Sequence, residues 1–463
     1  MAVDHEAGML RLADSYRRIP AGEPVRLAKQ TSNLFRERAK RSAPGLDVSG
    51  LSGVIAVDPQ SRTAHVGGMC TYEDLVAATL PHGLTPLVVP QLKTITLGGA
   101  VTGMGVESAS FRNGLPHESV LEADVFTASG EVVTARPDGE HSDLYFGFPN
   151  SYGTLGYATR LKIELEPVSQ YVALRSVRFD DLGVLSEAVA SICAEKAWER
   201  EAVDYLDGVV FSTEEAYLLL GRRTEEPGPT SDYTGQKIFY RSIRHARTGE
   251  AKRDRLTTHD YLWRWDTDWF WCSRAFGAQH PVVRRLWPKR WRRSSVYWKL
   301  MALDRRFCIA DRIERRAGRP ALERVVQDVE VPVERLASFV TWFLAETGIE
   351  PVWLCPIVLR EPHPNTDPAR PWPLYPLESG KVWVNVGFWS AVSQAPGDPS
   401  RTNRLIEQTV AEHGGHKSLY SESFYTPEDF EQLYGGQHYR DLKARYDPEG
   451  RFLTLYQKTV RNK

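Results

Sequence analysis

Between Val54 and Val133, short runs of β type (GVIAVD, TAHVGG, PLVVP, ADVFTA and EVVTA) alternate with turn residues. One stretch breaks the alternation: from Tyr72 to Leu80 the apolar Leu75, Val76 and Leu80 share one face of a predicted helix. A further strand is predicted over Ala158 to Leu165, where apolar and polar positions alternate until Pro167 ends it. Residues from about 20 to 168 therefore form one α+β domain. Beyond Gln170 the pattern changes: VALRSVRF reads as a strand and Asp181 to Ala197 has helical spacing, before a polar loop at 222–235. Further on, VVQDVEVP, WLCPIVL and VWVNVGFW read as buried strands of a second sheet. The loop between the last two carries Pro362, Pro364, Pro368, Pro371, Pro373 and Pro376, which forbids regular structure there. In the tail, Thr426 stands as N-cap with Pro427 at the first helical position. This divides the chain into a first domain over 1–168, a second over 169–415 and a tail over 416–463.

The second domain has an unusual centre at 261–300. Seven of the 13 tryptophans lie between Trp263 and Trp298, and no acidic residue occurs from Trp269 through Leu303. Arg284, Arg285, Lys289, Arg290, Arg292 and Arg293 cluster there. Trp263, Trp265, Trp269 and Trp271 read either as core of the second domain or, with the basic run, as a segment seated on an anionic membrane surface.

Composition narrows the classes. With 58 Lys+Arg against 59 Asp+Glu the 463-residue chain is near neutral, which argues against bulk electrostatic binding of nucleic acid. Five cysteines, odd in number and without a CxxC, read as reduced thiols in a cytoplasmic protein, with no zinc site. The first 20 residues carry charges throughout and lack an apolar signal core. No run approaches the roughly 18 apolar residues of a spanning helix, so any membrane contact is expected to be peripheral.

The strongest constellation is LGGAVTGMGVES, Leu97 to Ser108. Gly98, Gly99, Gly103 and Gly105 strip side chains from a segment that a bulky ligand can then approach, and a dinucleotide is the natural candidate. A Rossmann turn competes, since Gly103-Met104-Gly105 begins a GxGxx pattern and Asp124 lies downstream. Against it, Ser108 stands at the third glycine and no clean helix follows. A second cluster, NSYGTLGYATRL, offers Gly153 and Gly156 before a strand, with Thr154 as a hydroxyl partner. An early loop, RLAKQTSNLFR, presents Lys29, Ser32 and Asn33 to a pyrophosphate or, on local grounds, to solvent.

The order of these features, the early polar loop, VGGMCTYEDL, PLVVPQLKTITLGGAVTGMGVESASFRNGL and then NSYGTLGYATRLKIEL, resembles the PCMH-type FAD-binding domain of the vanillyl-alcohol-oxidase fold. Within it the chain looks most like the Diminuto-like sterol side-chain reductases, a resemblance that extends to VVQDVEVP, EPVWLCP and VNVGFW. It implies FAD held noncovalently, since neither His65 nor Cys70 lies in a recognisable attachment motif. The ADP portion would lie against Pro90, Gly98, Gly99, Thr102, Gly103, Gly105, Ser108, Gly153, Thr154 and Gly156, with Lys29, Ser32 and Asn33 near the pyrophosphate. The second domain would cap the flavin, and the tail would return to it. The early loop lacks the glycines many members carry, and no anchor of the eukaryotic sterol enzymes precedes the domain. The chain thus looks closest to a bacterial subgroup member that reduces 10-methylene fatty acyl chains to 10-methyl ones. That implies NADPH as electron donor, a lipid substrate, an S-adenosylmethionine-dependent methyltransferase as partner, and a place on the inner face of the membrane through Arg284–Arg293.

Reduction of an isolated alkene demands an acid within about 3 Å of the carbon to be protonated. His416 and Tyr420 in HKSLY are the first candidates, because a spacing of four would bring them together on a helix; Asp328 and Glu330 are the others. Two other classes compete: an oxidase or dehydrogenase of an alcohol or hydroxy acid, which needs a more polar pocket, and a flavin-binding scaffold without turnover.

Overall fold

The computed structural model describes residues 4–29, 35–36, 44–307, 309–316 and 318–460 of the 463. The first sheet is antiparallel: β1 (Val54–Asp58), β2 (Thr63–Gly67), β3 (Leu84–Pro86), β4 (Val120–Phe126), β5 (Val132–Ala135) and β6 (Tyr157–Pro167). Its order is β1-β2-β6-β4-β5, with β3 paired to the end of β6. The long strand β6 shows why it forms: Leu161, Ile163 and Leu165 point inward while Arg160, Lys162 and Glu164 alternate outward. Helix α1 (His5–Arg17) precedes the sheet, and α2 (Tyr72–Thr79) starts at Thr71, whose hydroxyl accepts from the Asp74 N–H at 3.1 Å. Helix α3 (Leu97–Gly103) is formed by the glycine-rich segment itself. Its three glycines, Gly98, Gly99 and Gly103, are carried because the helix is fastened at its start, Leu97 N–H to Cys70 O and Gly98 N–H to Gly68 O, both 2.9 Å.

The second sheet holds eight antiparallel strands. They are β7 (Tyr171–Phe179), β10 (Tyr205–Ser212), β11 (Glu215–Thr224), β12 (Ala251–Thr257), β13 (Leu322–Pro332), β14 (Val352–Ile357), β15 (Trp383–Ser393) and β16 (His416–Lys417); β8 (Ala197–Trp198) and β9 (Glu201–Ala202) make a separate hairpin. The order is β12-β7-β11-β10-β14-β15-β13-β16. Because β16 pairs with β13, the expected boundary at 415/416 falls inside this sheet. One face is covered by the helices Leu182–Glu195, Leu336–Thr347 and Arg401–Glu412, which bury Leu185, Phe339, Phe343, Ile406 and Val410 against it. The opposite face turns toward the first domain.

That opposite face receives the tryptophan-rich segment. Trp263, Trp265, Trp269 and Trp271 are each at most 4% exposed, so they are core and not lipid anchors. The basic run is also partly internal. Arg284 pairs with Asp268 (2.7 Å) and donates to the carbonyls of Tyr233, Gly235 and Lys237. Arg292 donates to the carbonyls of Gly235 (2.6 Å) and Trp287 (2.9 Å). A membrane surface running through the whole of Arg284–Arg293 is therefore corrected: two of its arginines bind backbone inside the fold. Arg285, Lys289 and Arg290 stay at the surface beside exposed Val282, Leu286 and Trp291. Among the described residues no helix is long and apolar enough to cross a membrane.

The tail closes the molecule. Thr426 caps the helix Pro427–Leu433 as expected, accepting from the Asp429 N–H at 3.1 Å. The helix Gly436–Tyr446 then buries Leu442 and Tyr446 in the core of the first domain.

Candidate active site

A cleft of about 450 Å³ runs between the two sheets, inside the range of about 300–1,000 Å³ usual for ligand pockets. Its first-domain wall is built on α3. A Cβ on Gly98 would come within 2.6 Å of Gly68 O, so this glycine serves backbone packing. Gly99 and Gly103 differ: a Cβ there would meet only Thr96 Oγ1 at 2.9 Å or the Tyr152 ring at 3.4 Å, which leaves backbone open to the cleft. Tyr152 holds the end of α3, its N–H donating to Thr102 O at 3.1 Å and its hydroxyl to Gly103 O at 3.2 Å. Among the described residues nine other than glycine have positive φ, and four of them, Met104, Tyr152, Trp269 and Phe270, line this cleft. Strain of this kind, of order 1–3 kcal/mol per residue, persists where surrounding structure fixes the backbone for a ligand.

Among the described residues four cations, Arg26, Lys29, Arg36 and Lys458, line the cleft, and Asp328 is the one carboxyl that does so. Lys29 Nζ donates to Thr96 Oγ1 at 3.0 Å, and the Arg36 guanidinium donates to Leu419 O at 2.8 Å and lies 4.9 Å above the Tyr152 ring. This balance suits an anionic diphosphate.

The second-domain wall is apolar and aromatic: Trp269, Phe270, Trp353 and Trp389. Into it project Asp328 from β13, Asn385 from β15, and Ser418 and Tyr420 from the loop after β16. Asn385 Nδ2 donates to Asp328 Oδ1 at 3.2 Å, while its buried Oδ1 finds no hydrogen-bond partner among the described residues. Trp389 Nε1 donates to the Tyr420 hydroxyl at 3.0 Å, and Tyr420 in turn hydrogen-bonds Asp328. Burial pushes the Asp328 carboxyl up to about 6, against the opposing hydrogen bonds from Asn385 and Tyr420. Burial pushes Glu330, two residues along the same strand face, up to about 8, so it carries a proton at neutral pH.

The predicted site residues separate into three groups. Lys29, Pro90, Gly98, Gly99, Thr102, Gly103, Gly105, Gly153, Gly156 and Tyr420 lie together on the cleft. Ser108, Thr154 and His416 do not. Ser108 is buried, donating to Glu107 Oε1 at 2.7 Å beside Tyr261, and Thr154 donates to Ser151 O at 2.7 Å. The helix that was to join His416 to Tyr420 is absent: His416 lies on β16, sealed between Tyr375 and Trp383 with Nε2 3.7 Å from Glu330 Oε2. Burial pulls its imidazole down to about 3, so at neutral pH it has no proton to give from a charged form. Ser32 and Asn33 lie outside the described residues. His65, on β2 against Arg160, and buried Cys70 are both off the cleft lining. Sequence reasoning missed Arg26, Arg36, Lys458 and Asn385. Asn385 had a signal, a lone amide in the apolar run VWVNVGFW, since a polar side chain in a buried strand needs a partner.

Open glycine backbone, four cations and an unpartnered acceptor beside an aromatic wall fit a flavin dinucleotide, held through α3, the turn at Gly153 and Gly156, and the cations. Comparison with known proteins agrees. The FAD binding domain family matches residues 10–136. The Delta(24)-sterol reductase of Arabidopsis thaliana is 26% identical over 451 residues, covering 90% of this chain and 77% of the relative. The human Delta(24)-sterol reductase is 25% identical over 424 residues, 88% of this chain and 76% of the relative. Cytokinin dehydrogenase 7 of rice is 33% identical over 144 residues, 31% of this chain and 27% of the relative. With a cofactor cleft of this build, the chain carries an FAD binding domain over residues 10–136 and is similar to the Delta(24)-sterol reductases along most of its length.

Proposed function

We propose that this protein uses FAD to reduce an isolated carbon–carbon double bond in a lipid, with a 10-methylene fatty acyl chain on a phospholipid as substrate and NADPH as electron donor. The observation that carries the reading is the aromatic wall of Trp269, Phe270, Trp353 and Trp389, broken only by the small polar group around Asp328. An alcohol or hydroxy acid would call for several convergent polar contacts; an acyl chain needs an apolar channel and one proton source. When bound and reduced, FAD supplies the hydride. The aromatic side chains exclude water and hold the chain, and Tyr420 orients the polar group facing it.

On this reading the methylene carbon is installed first by an S-adenosylmethionine-dependent methyltransferase. Access to phospholipid is through the exposed Val282, Leu286 and Trp291 with Arg285, Lys289 and Arg290 around them, which would rest on an anionic leaflet from the cytoplasmic side. A second reading, reduction of a sterol side-chain double bond, is favoured by the two Delta(24)-sterol reductases that match most of the chain.

The test is anaerobic. NADPH should bleach the flavin, and phospholipid bearing a 10-methylene chain should restore its colour as the 10-methyl product forms. Restoration by a sterol with a side-chain double bond and not by the phospholipid selects the second reading. A flavin that neither lipid reoxidises sinks both.

A further inference from the structure

The alkene carbon that does not receive hydride must receive a proton, and the cleft offers few groups to give it. Strand β13 alternates: Val325, Val329 and Val331 face the helical layer, so Asp328 and Glu330 share the face toward the first domain. Opposite Asp328 on β15 stands Gly387, where any Cβ would collide with Asp328 Oδ1 and crowd the Trp353 ring. The missing side chain makes the space in which this carboxyl sits beside the cleft. Its hydrogen-bond partners, Asn385 and Tyr420, are neutral. Glu330 is fully buried, does not line the cleft, and reaches it only through Ser418, whose Oγ donates to Glu330 Oε1 at 3.2 Å.

Resting on the alkene-reductase reading above, we propose that Asp328 is the catalytic acid, its carboxyl protonating one carbon of the double bond while Gly387 and Tyr420 fix its position. In the step the π bond breaks and two C–H bonds form. One takes the electron pair as hydride from reduced flavin, which is thereby oxidised; the other takes the Asp328 proton. Asp328 is left as carboxylate and recovers a proton from water. The titratable groups that face it are Tyr420 on the loop after β16, Glu330 on its own strand, Cys355 on β14 and Tyr152 from the first domain. Because the acid form acts and burial holds this carboxyl at about 6, the rate of alkene-driven reoxidation falls as pH rises through that value.

Asp328→Asn keeps the shape and removes the acid. In the FAD-loaded protein, reoxidation by alkene should fall by about 10²–10⁴-fold and lose its pH dependence, a far larger loss than any change in bleaching by NADPH. A second readout needs no turnover: the infrared spectrum of the loaded protein should contain a protonated-carboxyl band that titrates near pH 6 and vanishes in Asp328→Asn. If the asparagine variant does not retain FAD, Gly387→Ala replaces it and should slow reoxidation more than it slows bleaching, with Ser418→Ala, which leaves Asp328 in place, giving the smaller loss. Reoxidation of Asp328→Asn within threefold of wild type, or the band surviving in it, overturns the assignment and leaves the reductase reading standing. A wild-type flavin that no alkene reoxidises overturns that reading first, and the assignment with it.

Discussion

Arg264→Met should destabilise the protein by about 3 kcal/mol. The Arg264 side chain is fully buried, with Nη2 2.8 Å from Asp207 Oδ2 and Nη1 3.4 Å from Glu107 Oε1, and both carboxylates are equally buried. Removing one member of such a group costs about 3–5 kcal/mol, because charge is left in a dry interior without its counterion. The lower end applies here. Asp207 keeps the indole N–H groups of Trp265 (3.0 Å) and Trp353 (3.1 Å), and Glu107 keeps Ser108 Oγ, Gln91 Nε2 and the Ala109 N–H. Gln91 and Trp353 both line the cleft, from opposite domains, so the same change should release FAD more readily. About 3 kcal/mol is roughly a hundredfold in the folded-to-unfolded ratio. Urea unfolding followed by tryptophan and flavin fluorescence, at fixed FAD, reads both effects. The sign with pH is fixed as well. Burial already raises the Glu107 carboxyl and Arg264 opposes that rise; without the arginine it moves higher. A carboxyl whose folded pKa lies above its unfolded one loses stability as pH rises between the two values. The gap between variant and wild type should therefore be smaller at pH 5.5 than at pH 8. A variant within 1 kcal/mol of wild type at pH 8, or a gap that widens on acidification, would refute the reasoning.

Other expectations are direct. Gly103→Asp places a carboxylate on the cleft face of α3, beside the Tyr152 ring, where an anionic diphosphate is to bind; the purified variant should lack the yellow flavin colour. Reversing Arg285, Lys289 and Arg290 to Glu should weaken sedimentation with anionic vesicles by at least about a hundredfold, at about 1 kcal/mol per basic residue lost, with the fold intact. Arg284→Ala should instead destabilise the protein, since it strips the partner from buried Asp268 and from three carbonyls. Burial pushes the thiols of Cys70, Cys193 and Cys272 up to about 12, so iodoacetamide at pH 8 should leave them unmodified in the native protein and label them in urea; peptide mass mapping distinguishes the two.

What could be read from the sequence follows the range of the forces involved. Strands such as Tyr157–Pro167 and Leu322–Pro332 were legible because one face of each is dry, and a period of two records that directly. The cap at Thr426 was legible because donor and acceptor lie three residues apart. Helix α3 was hidden, since its glycines argue locally for coil and the backbone bonds that hold it come from Cys70 and Gly68, some 30 residues earlier. Arg284 and Arg292 looked like surface because a run of cations does not record which of them meets carbonyls from the loop at 233–237, about 50 residues away. His416 and Tyr420 were joined by a helical spacing that β16 and its following turn do not have. The aromatic wall and the cationic lining, likewise, exist only once distant segments are brought together.

The cleft has one further property that follows from where its walls come from. Its lining begins at Val25 and runs to Lys458, with Phe452, Leu453 and Gln457 also on it. Val25 donates to Arg451 O at 2.9 Å, so the two ends of the described chain are stitched side by side at the cofactor's position. On a ribosome, this pocket has no closed form until the codons through Lys458 have been read and the helix Gly436–Tyr446 has settled on the first domain. A premature stop between Tyr420 and Phe452 therefore leaves a chain that carries most of the lining residues and cannot close the cleft over them.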